Sequence, residues 1–153
     1  KMLLNLFLKR TTPKALSLSS PILRNFAVHT RFTKDHEWIK YDDETMNGQY
    51  GITDYAQKEL GDIVFVDLPF AGDTFNKGDS IGAVESVKTS AQIYTPADVE
   101  IIENNEEIES SPQIVNESPT ENGWITKIKV TNVEQMSELM SEGEYKSFLE
   151  TLE

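Results

Sequence analysis

The sequence predicts a mainly β protein with a few short helices. Residues 80–94 hold two runs of β-branched and small apolar residues around a short polar link, which is typical of a β-hairpin. Further strand-like runs occupy residues 36–41, 49–53, 63–66 and 124–130, and turn residues separate them. Apolar positions at helical spacing are concentrated in the C-terminal tail, so we expect most of the core to come from strands.

The hairpin predicted within residues 78–96 places Lys88 at or next to its turn. A lysine on a rigid, exposed tip suits a cofactor attached through an amide bond, because the tip can enter the pocket of another protein. The alternative is an ordinary surface lysine, as most lysines are. The spacing of the residues leaves both interpretations open.

The first predicted hairpin lies near the start of the folded part. His36–Tyr41 has the alternating character of a strand, and Gln49–Thr53 is expected to return beside it. The polar stretch Asp42–Gly48 ends in Asn-Gly, a strong hairpin signal, so we expect the turn there.

A short helix and a strand are predicted next. Thr53 or Asp54 can cap the helix by accepting backbone N–H bonds, and Gly61 can end it in a left-handed conformation. Ile63–Val66 follows as a buried strand, because four consecutive apolar residues of high β propensity fit a core position.

The sequence pattern of the second half of the chain predicts loops, one strand and terminal helices. Residues 103–109 are rich in glutamate and indicate a solvated acidic loop, and residues 112–119 suggest a turn of helix between two prolines. Residues 133–140 carry an apolar stripe that Gly143 should interrupt, and residues 145–152 form a second amphipathic stripe.

Charge divides the chain into two parts. Residues 1–34 contain seven basic and no acidic residues, whereas residues 35–153 carry 7 − 26 = −19 charges. Residues 1–27 are also rich in hydroxyl and leucine side chains, which indicates a mitochondrial transit peptide. A secretory signal is the alternative, but Asn5 interrupts its apolar region and most basic residues follow that region. We therefore expect a domain over residues 28–153.

Composition excludes several classes of function. A body this acidic predicts no nucleic-acid binding, which needs basic faces. No run of eighteen apolar residues occurs, so no membrane-spanning helix is expected. The chain has no cysteine and two histidines, which argues against disulfides and a zinc site. Redox or group-transfer chemistry would therefore require an attached or bound group.

Three stretches resemble the glycine cleavage system H-protein family. They are the lysine motif Val84–Lys88, the strand–helix–strand run Gly51–Pro69 and the run from Asn122 to Lys129. His36-Glu37-Trp38 also resembles the opening strand of the family, so the resemblance extends over residues 33–150. Biotin carriers usually have methionine on both sides of the lysine, and this chain does not.

The resemblance implies a fold and a function. The fold is a flattened β-sandwich of the lipoyl/biotinyl-domain type, a barrel-sandwich hybrid with short peripheral and C-terminal helices. The cofactor is lipoic acid on Lys88, and the chain is a carrier, not an enzyme. With the transit peptide predicted over residues 1–27, its expected location is the mitochondrial matrix. It takes the aminomethyl group of glycine from the decarboxylase to the aminomethyltransferase and passes electrons to the dihydrolipoyl dehydrogenase. Lipoyl-attaching enzymes are further partners, and no nucleic-acid or membrane partner is implied.

The resemblance also implies a cleft that receives the loaded arm. Glu37 is the first candidate for a carboxylate that stabilises the arm's amine, and Asp35 and Asp67 are lower-ranked candidates. The equal alternative for Glu37 is an ordinary solvated carboxylate on a strand. Gln92 stands where an aspartate is expected. Val99 stands where a turn glycine is expected, and a β-branched residue resists positive φ.

Two other functions stay open at this point. The chain could act as a lipoyl donor or relay for other lipoyl-dependent complexes, without glycine turnover. It could also be an unmodified structural or binding module, in which case Lys88 would carry no group.

Overall fold

The computed structural model describes residues 27–152, and these residues form two antiparallel sheets with short helices at their edges. The larger sheet has the strand order β1-β2-β3-β9-β8-β5, and the smaller has the order β4-β6-β7. The bounds are β1 Val28–Phe32, β2 Glu37–Asp42, β3 Asn47–Ile52, β4 Ile63–Asp67, β5 Thr74–Phe75, β6 Ser80–Ser86, β7 Ser90–Tyr94, β8 Val99–Asn104 and β9 Thr126–Val130.

The helices are short. They are α1 Asp54–Leu60, α2 Glu106–Ser110, α3 Ile114–Glu117 and α4 Glu142–Glu150, together with a 3₁₀ helix over Val133–Glu138. None of the helices within residues 27–152 has the length and apolar character needed to cross a bilayer.

The main core lies between the two sheets. Ile39, Tyr50 and Ile128 of the larger sheet and Val84 and Ile93 of the smaller sheet are all at most 3% exposed and belong to one cluster. Alternation along each strand sends these side chains to the same side, so each sheet has one apolar face to bury. The predicted mainly β sandwich is therefore confirmed.

A second, aromatic cluster attaches α4 to the outer edge of the larger sheet. Phe32 of β1 stacks on Tyr145 of α4 with ring centroids 4.6 Å apart, and Trp38 lies buried beside them. The capping box between Ser141 and Glu144 fixes the start of α4. The C-terminal helix is thus part of the folded domain.

Several local predictions hold. Thr53 caps α1, its side chain accepting from the backbone N–H of Ala56, and Gly61 ends the helix at φ 83°. The turn of helix predicted between two prolines is α3, and the predicted strand around Lys127 is β9.

The first hairpin differs from its prediction. Asn47 and Gly48 are the first residues of β3, and the left-handed residue of the turn is Met46, at φ 59°. Asp42 makes this turn possible because its carboxylate accepts from the backbone N–H groups of Glu44 and Thr45. An Asx-type side-chain contact thus replaces the Asn-Gly turn. The additional strand β1 was not predicted.

Two predictions about burial are wrong. Strand β4 is not fully buried, because Val64 and Phe65 are each 52% exposed. The predicted acidic loop at residues 103–109 is instead the end of β8 and the helix α2, which Ile108 anchors to the core at 1% exposure.

The C-terminal region also differs in detail. The first predicted helix is a 3₁₀ helix that ends at Glu138, and Gly143 lies inside the first turn of α4 rather than between the helices. The boundary falls at Ser141, whose side chain caps α4. Leu152 lies beyond α4 and is 46% exposed, so it does not extend the apolar stripe.

Candidate functional site

Lys88 lies at the tip of the β6–β7 hairpin and is exposed. The turn is closed by the backbone bond from Ser86 N–H to the Thr89 carbonyl at 2.8 Å. The Ser86 hydroxyl oxygen accepts from the backbone N–H groups of Lys88 and Thr89, each at 3.1 Å. These bonds hold the backbone of the tip while the Lys88 side chain stays accessible, as predicted.

The tip is also attached to the body of the protein. The backbone N–H of Val87 donates to the Asp62 carbonyl at 2.9 Å, just after α1 ends. The Lys88 side chain extends over Gly61, where a Cβ atom would come within 2.8 Å of Lys88 Cε. Gly61 therefore serves two purposes, since it ends α1 and leaves space for the lysine. Sequence reasoning found only the first.

A cleft of about 190 Å³ lies between α1 and β7, beside the lysine hairpin. Its wall combines apolar side chains with three carboxylates and one amide: Ile52, Ala56, Leu60, Ala91 and Ile93, then Asp35, Glu37 and Glu59, and Gln92. The apolar part suits a hydrocarbon arm, and the carboxylates suit a cation at its end.

Glu37 is 3% exposed, so it is not a solvated strand carboxylate. The Thr33 hydroxyl donates to its Oε2, and the Tyr94 backbone N–H donates to its Oε1 at 3.3 Å. Thr33 also accepts from the Glu37 backbone N–H at 3.0 Å. Burial raises the pKa of Glu37, while the bonds from Thr33 and Tyr94 act in the opposite direction. The result is a buried carboxylate with one hydrogen-bond donor on each of its two oxygens.

The structure brings only some of the predicted residues together. Asp35 is exposed and borders the same cleft as Glu37, and Gln92 lies on its β7 side, accepting from the Ser80 hydroxyl at 2.6 Å. Asp67 lies elsewhere, on β4, beside a different groove. The sequence named it as a further candidate for the cleft carboxylate, and it does not line the cleft.

Val99 has no part in a special turn. It is the first residue of β8, is 1% exposed, and does not have positive φ. A β-branched core residue fits that position, and Val99 does not line the cleft.

A hydrogen-bonded group next to Glu37 was missed by sequence reasoning. His36 adopts φ 68°, and its Nδ1 lies 2.8 Å from the Tyr145 hydroxyl, which lies 2.9 Å from the Thr53 hydroxyl. Burial lowers the pKa of His36. Because Thr53 caps α1, this group links α4, the residue before Glu37 and the helix that borders the cleft. The only sequence signal was Tyr145 in an apolar stripe, which predicted a core contact.

Comparison with known proteins decides the family. The family model for the glycine cleavage H-protein matches residues 30–152. The glycine cleavage system H protein of Staphylococcus haemolyticus is 46% identical over 119 residues, covering 78% of this chain and 93% of that one. That of Carboxydothermus hydrogenoformans is 47% identical over 120 residues, covering 78% and 91%. The chain belongs to the glycine cleavage H-protein family.

The H-protein fold agrees with this assignment. The crystal structure of a glycine cleavage system H protein from Mycobacterium marinum matches with a TM-score of 0.71 and 34% identity, covering 79% of this chain and 96% of that chain. The family and the carrier role in glycine cleavage predicted from the sequence are confirmed. These relatives are bacterial, so they carry no information on a mitochondrial location.

The residues present fit the lipoyl group that H-proteins carry. Lys88 offers an exposed amine at a fixed tip, and Gly61 leaves open the space over which its side chain runs. Leu60, the residue before Gly61, lines the cleft together with Ala56 and Glu37. The cleft therefore offers an apolar wall with a carboxylate next to the lysine.

Proposed function

We propose that Lys88 carries lipoic acid through an amide bond. The lipoyl arm then reaches the active sites of the partner enzymes and also the cleft that contains Glu37. The observation that carries this proposal is the position of the Lys88 side chain over Gly61, the residue that follows Leu60 of that cleft. Lys88 catalyses nothing. It tethers the reactive group and so raises its effective concentration at each partner.

The partners follow from the carrier role. When attached, the lipoyl dithiolane supplies the sulfur chemistry that accepts an aminomethyl group and two electrons. The donor is the glycine decarboxylase, and the acceptors are the aminomethyltransferase and the dihydrolipoyl dehydrogenase. A lipoyl-attaching enzyme must first modify Lys88, which the exposed tip allows.

Glu37 stabilises the positive amine of the loaded arm. A charge-assisted hydrogen bond to a carboxylate is about twice as strong as a neutral bond. The buried position of Glu37 reduces screening by water, and Asp35 adds negative charge at the rim. Gln92 offers only a neutral carbonyl, and this is bonded to Ser80.

The test of attachment is the variant Lys88→Arg. We expect it to fold normally, because the side chain is exposed, and to lose the lipoyl group completely, because the guanidinium does not form the amide. Mass spectrometry of the peptide that spans residue 88 measures this in protein from cells that lipoylate their proteins. A lipoyl mass increment retained in Lys88→Arg would overturn the assignment.

A lipoyl relay for other complexes is the second candidate function. The neutral Gln92 in the cleft favours it, since a relay needs no stabilised amine. Glycine–bicarbonate exchange by the lipoylated protein with a glycine decarboxylase separates the two functions. Exchange activity means glycine cleavage, and its absence with full lipoylation means a relay.

We infer a mitochondrial matrix location from the basic, acid-free residues 1–27, with residues 28–153 as the mature domain. Residues 1–26 lie outside the described part of the structure. We expect the mature protein to begin between Leu23 and Thr33. Amino-terminal sequencing of protein from the organelle tests this, and a matrix form that retains Met2 would contradict it.

A further inference from the structure

Four large apolar side chains are exposed on strand β4 of the smaller sheet or close to its two ends. Val64 and Phe65 are each 52% exposed, Phe70 is 81% exposed and Val87 is 68% exposed. We call these four residues the apolar patch. Exposed apolar groups that cluster in this way, rather than singly, mark interaction sites.

The apolar patch borders a groove of about 460 Å³. Val64, Phe65 and Phe70 form one wall, and Ile108, Glu109 and Pro112 at α2 form the other. The groove is open and apolar in its lining, so it can receive a side chain from outside.

The geometry of β4 explains why two successive apolar residues face outward. The strand pairs only with β6, and its register shifts between Ile63 and Phe65. A bulge of this kind lets neighbouring side chains share one direction, and it also makes a strand edge a poor template for an added strand. The patch therefore offers side-chain docking rather than sheet extension.

The charges around the apolar patch are acidic except for Lys88 beside Val87, and Lys88 loses its charge when it forms the amide. Asp62, Asp67, Glu85 and Glu109 are exposed around it, and Glu85 lies directly opposite Phe65 in the sheet. Residues 61–76, 78–87 and 99–123 contain no lysine or arginine. Among residues 27–152, none of these four carboxylates takes part in a salt bridge. A second copy of this acidic surface would be repelled, whereas a basic surface would be attracted.

The apolar patch also begins at the attachment site. Val87 is the neighbour of Lys88 and is hydrogen-bonded to Asp62, two residues before Val64. A protein seated on the patch is therefore within a few residues of the base of the arm.

We propose that the apolar patch and its groove are the docking surface for a lipoyl-processing enzyme that presents an apolar side chain flanked by lysine or arginine. This inference rests on the proposed function, because it assumes that the arm on Lys88 must enter a partner's active site. Docking beside the tip holds the partner while the arm enters, and the acidic rim selects partners of opposite charge.

The test uses lipoylated full-length carrier with the decarboxylase, the aminomethyltransferase and the dihydrolipoyl dehydrogenase. Phe70→Asp removes the apolar contact, and Glu109→Lys reverses one rim charge on the far wall. Val133→Asp is the matched control, because Val133 is 49% exposed and lies on the 3₁₀ helix, outside the groove.

We expect Phe70→Asp to raise the KM for the carrier at least tenfold with one or more of the enzymes, at unchanged kcat. Glu109→Lys should raise the same KM several-fold at low salt and less at high salt. Val133→Asp should match the wild type, and dehydrogenase turnover of free dihydrolipoamide should be the same throughout.

Unchanged KM values for Phe70→Asp with all three enzymes would overturn the proposal. So would light scattering that finds the wild type dimeric and Phe70→Asp monomeric, because a second copy would then occupy the patch. Failure of the proposed function looks different, since wild-type carrier would then lack the lipoyl mass increment or turnover with every enzyme.

Discussion

Lys88 and Glu37, which we propose to act in one site, are held in opposite ways. The turn around Lys88 is held by bonds within four residues, Ser86 to Thr89, and by one bond to Asp62. Glu37 is buried and held by Thr33 and by Tyr94, which is 57 residues away in the chain. A tether must be reachable, whereas a charge-stabilising group works best where water is excluded.

This difference predicts where substitutions are costly. Changes at the exposed tip should leave stability almost unchanged, because surface substitutions are usually worth less than about 0.5 kcal/mol. Changes around Glu37 leave a buried carboxylate without its donors. Substitutions at Glu37, at its donor Thr33 and at the tip test that contrast.

Thr33→Val should lower the free energy of unfolding by about 2–3 kcal/mol, because it leaves both the Glu37 carboxylate and its backbone N–H short of a buried partner. The matched control is Thr89→Val at the hairpin tip, which should cost less than about 0.5 kcal/mol. Urea unfolding measures both. Equal losses for the two variants would mean that Glu37 needs no support from Thr33.

Glu37→Gln should shorten the lifetime of the methylamine-loaded carrier about tenfold, because loss of a charge-assisted bond is worth about 1.4 kcal/mol. Lipoylation of Lys88 should be unchanged. The stability cost should be about 1 kcal/mol or less, since glutamine keeps one acceptor oxygen. Ammonia release from the loaded carrier without transferase measures the lifetime. Equal release from wild type and variant would remove Glu37 from the role.

The pH dependence of stability should carry a small contribution from Glu37. Because burial raises its pKa above the ordinary 4.5, the folded protein binds the proton more tightly than the unfolded chain. The Glu37 contribution is therefore full below the ordinary pKa and is lost as pH rises through the raised one. Carboxyls with a lowered pKa, such as Asp54 beside Lys58, make the opposite contribution to stability. Their contribution is present at higher pH and is lost as pH falls through the lowered pKa.

Glu37→Gln isolates this contribution. The difference in unfolding free energy between the variant and the wild type should grow in favour of the variant as pH rises above 4.5, and then level off. Denaturant unfolding at a series of pH values measures it. A difference that stays constant with pH would mean that the pKa of Glu37 is the same in both states.

Local sequence patterns determined the elements of this fold that depend on neighbours in the chain. The Lys88 hairpin, the Thr53 cap and the Gly61 helix end all follow from residues within a few positions of one another. The lysine motif and the Gly51–Pro69 run also indicated the family, since both carry long, specific patterns.

Tertiary structure decided the features that depend on distant residues. Burial of Glu37 requires Tyr94, exposure of Val64 and Phe65 requires a bulge against β6, and the group of His36, Tyr145 and Thr53 joins residues more than 90 positions apart. Asp67 was named as a candidate for the cleft carboxylate, and it lies at another groove for the same reason. Whether a carboxylate meets water or a cleft depends on which strands pair around it, and periodicity within one strand does not contain that information.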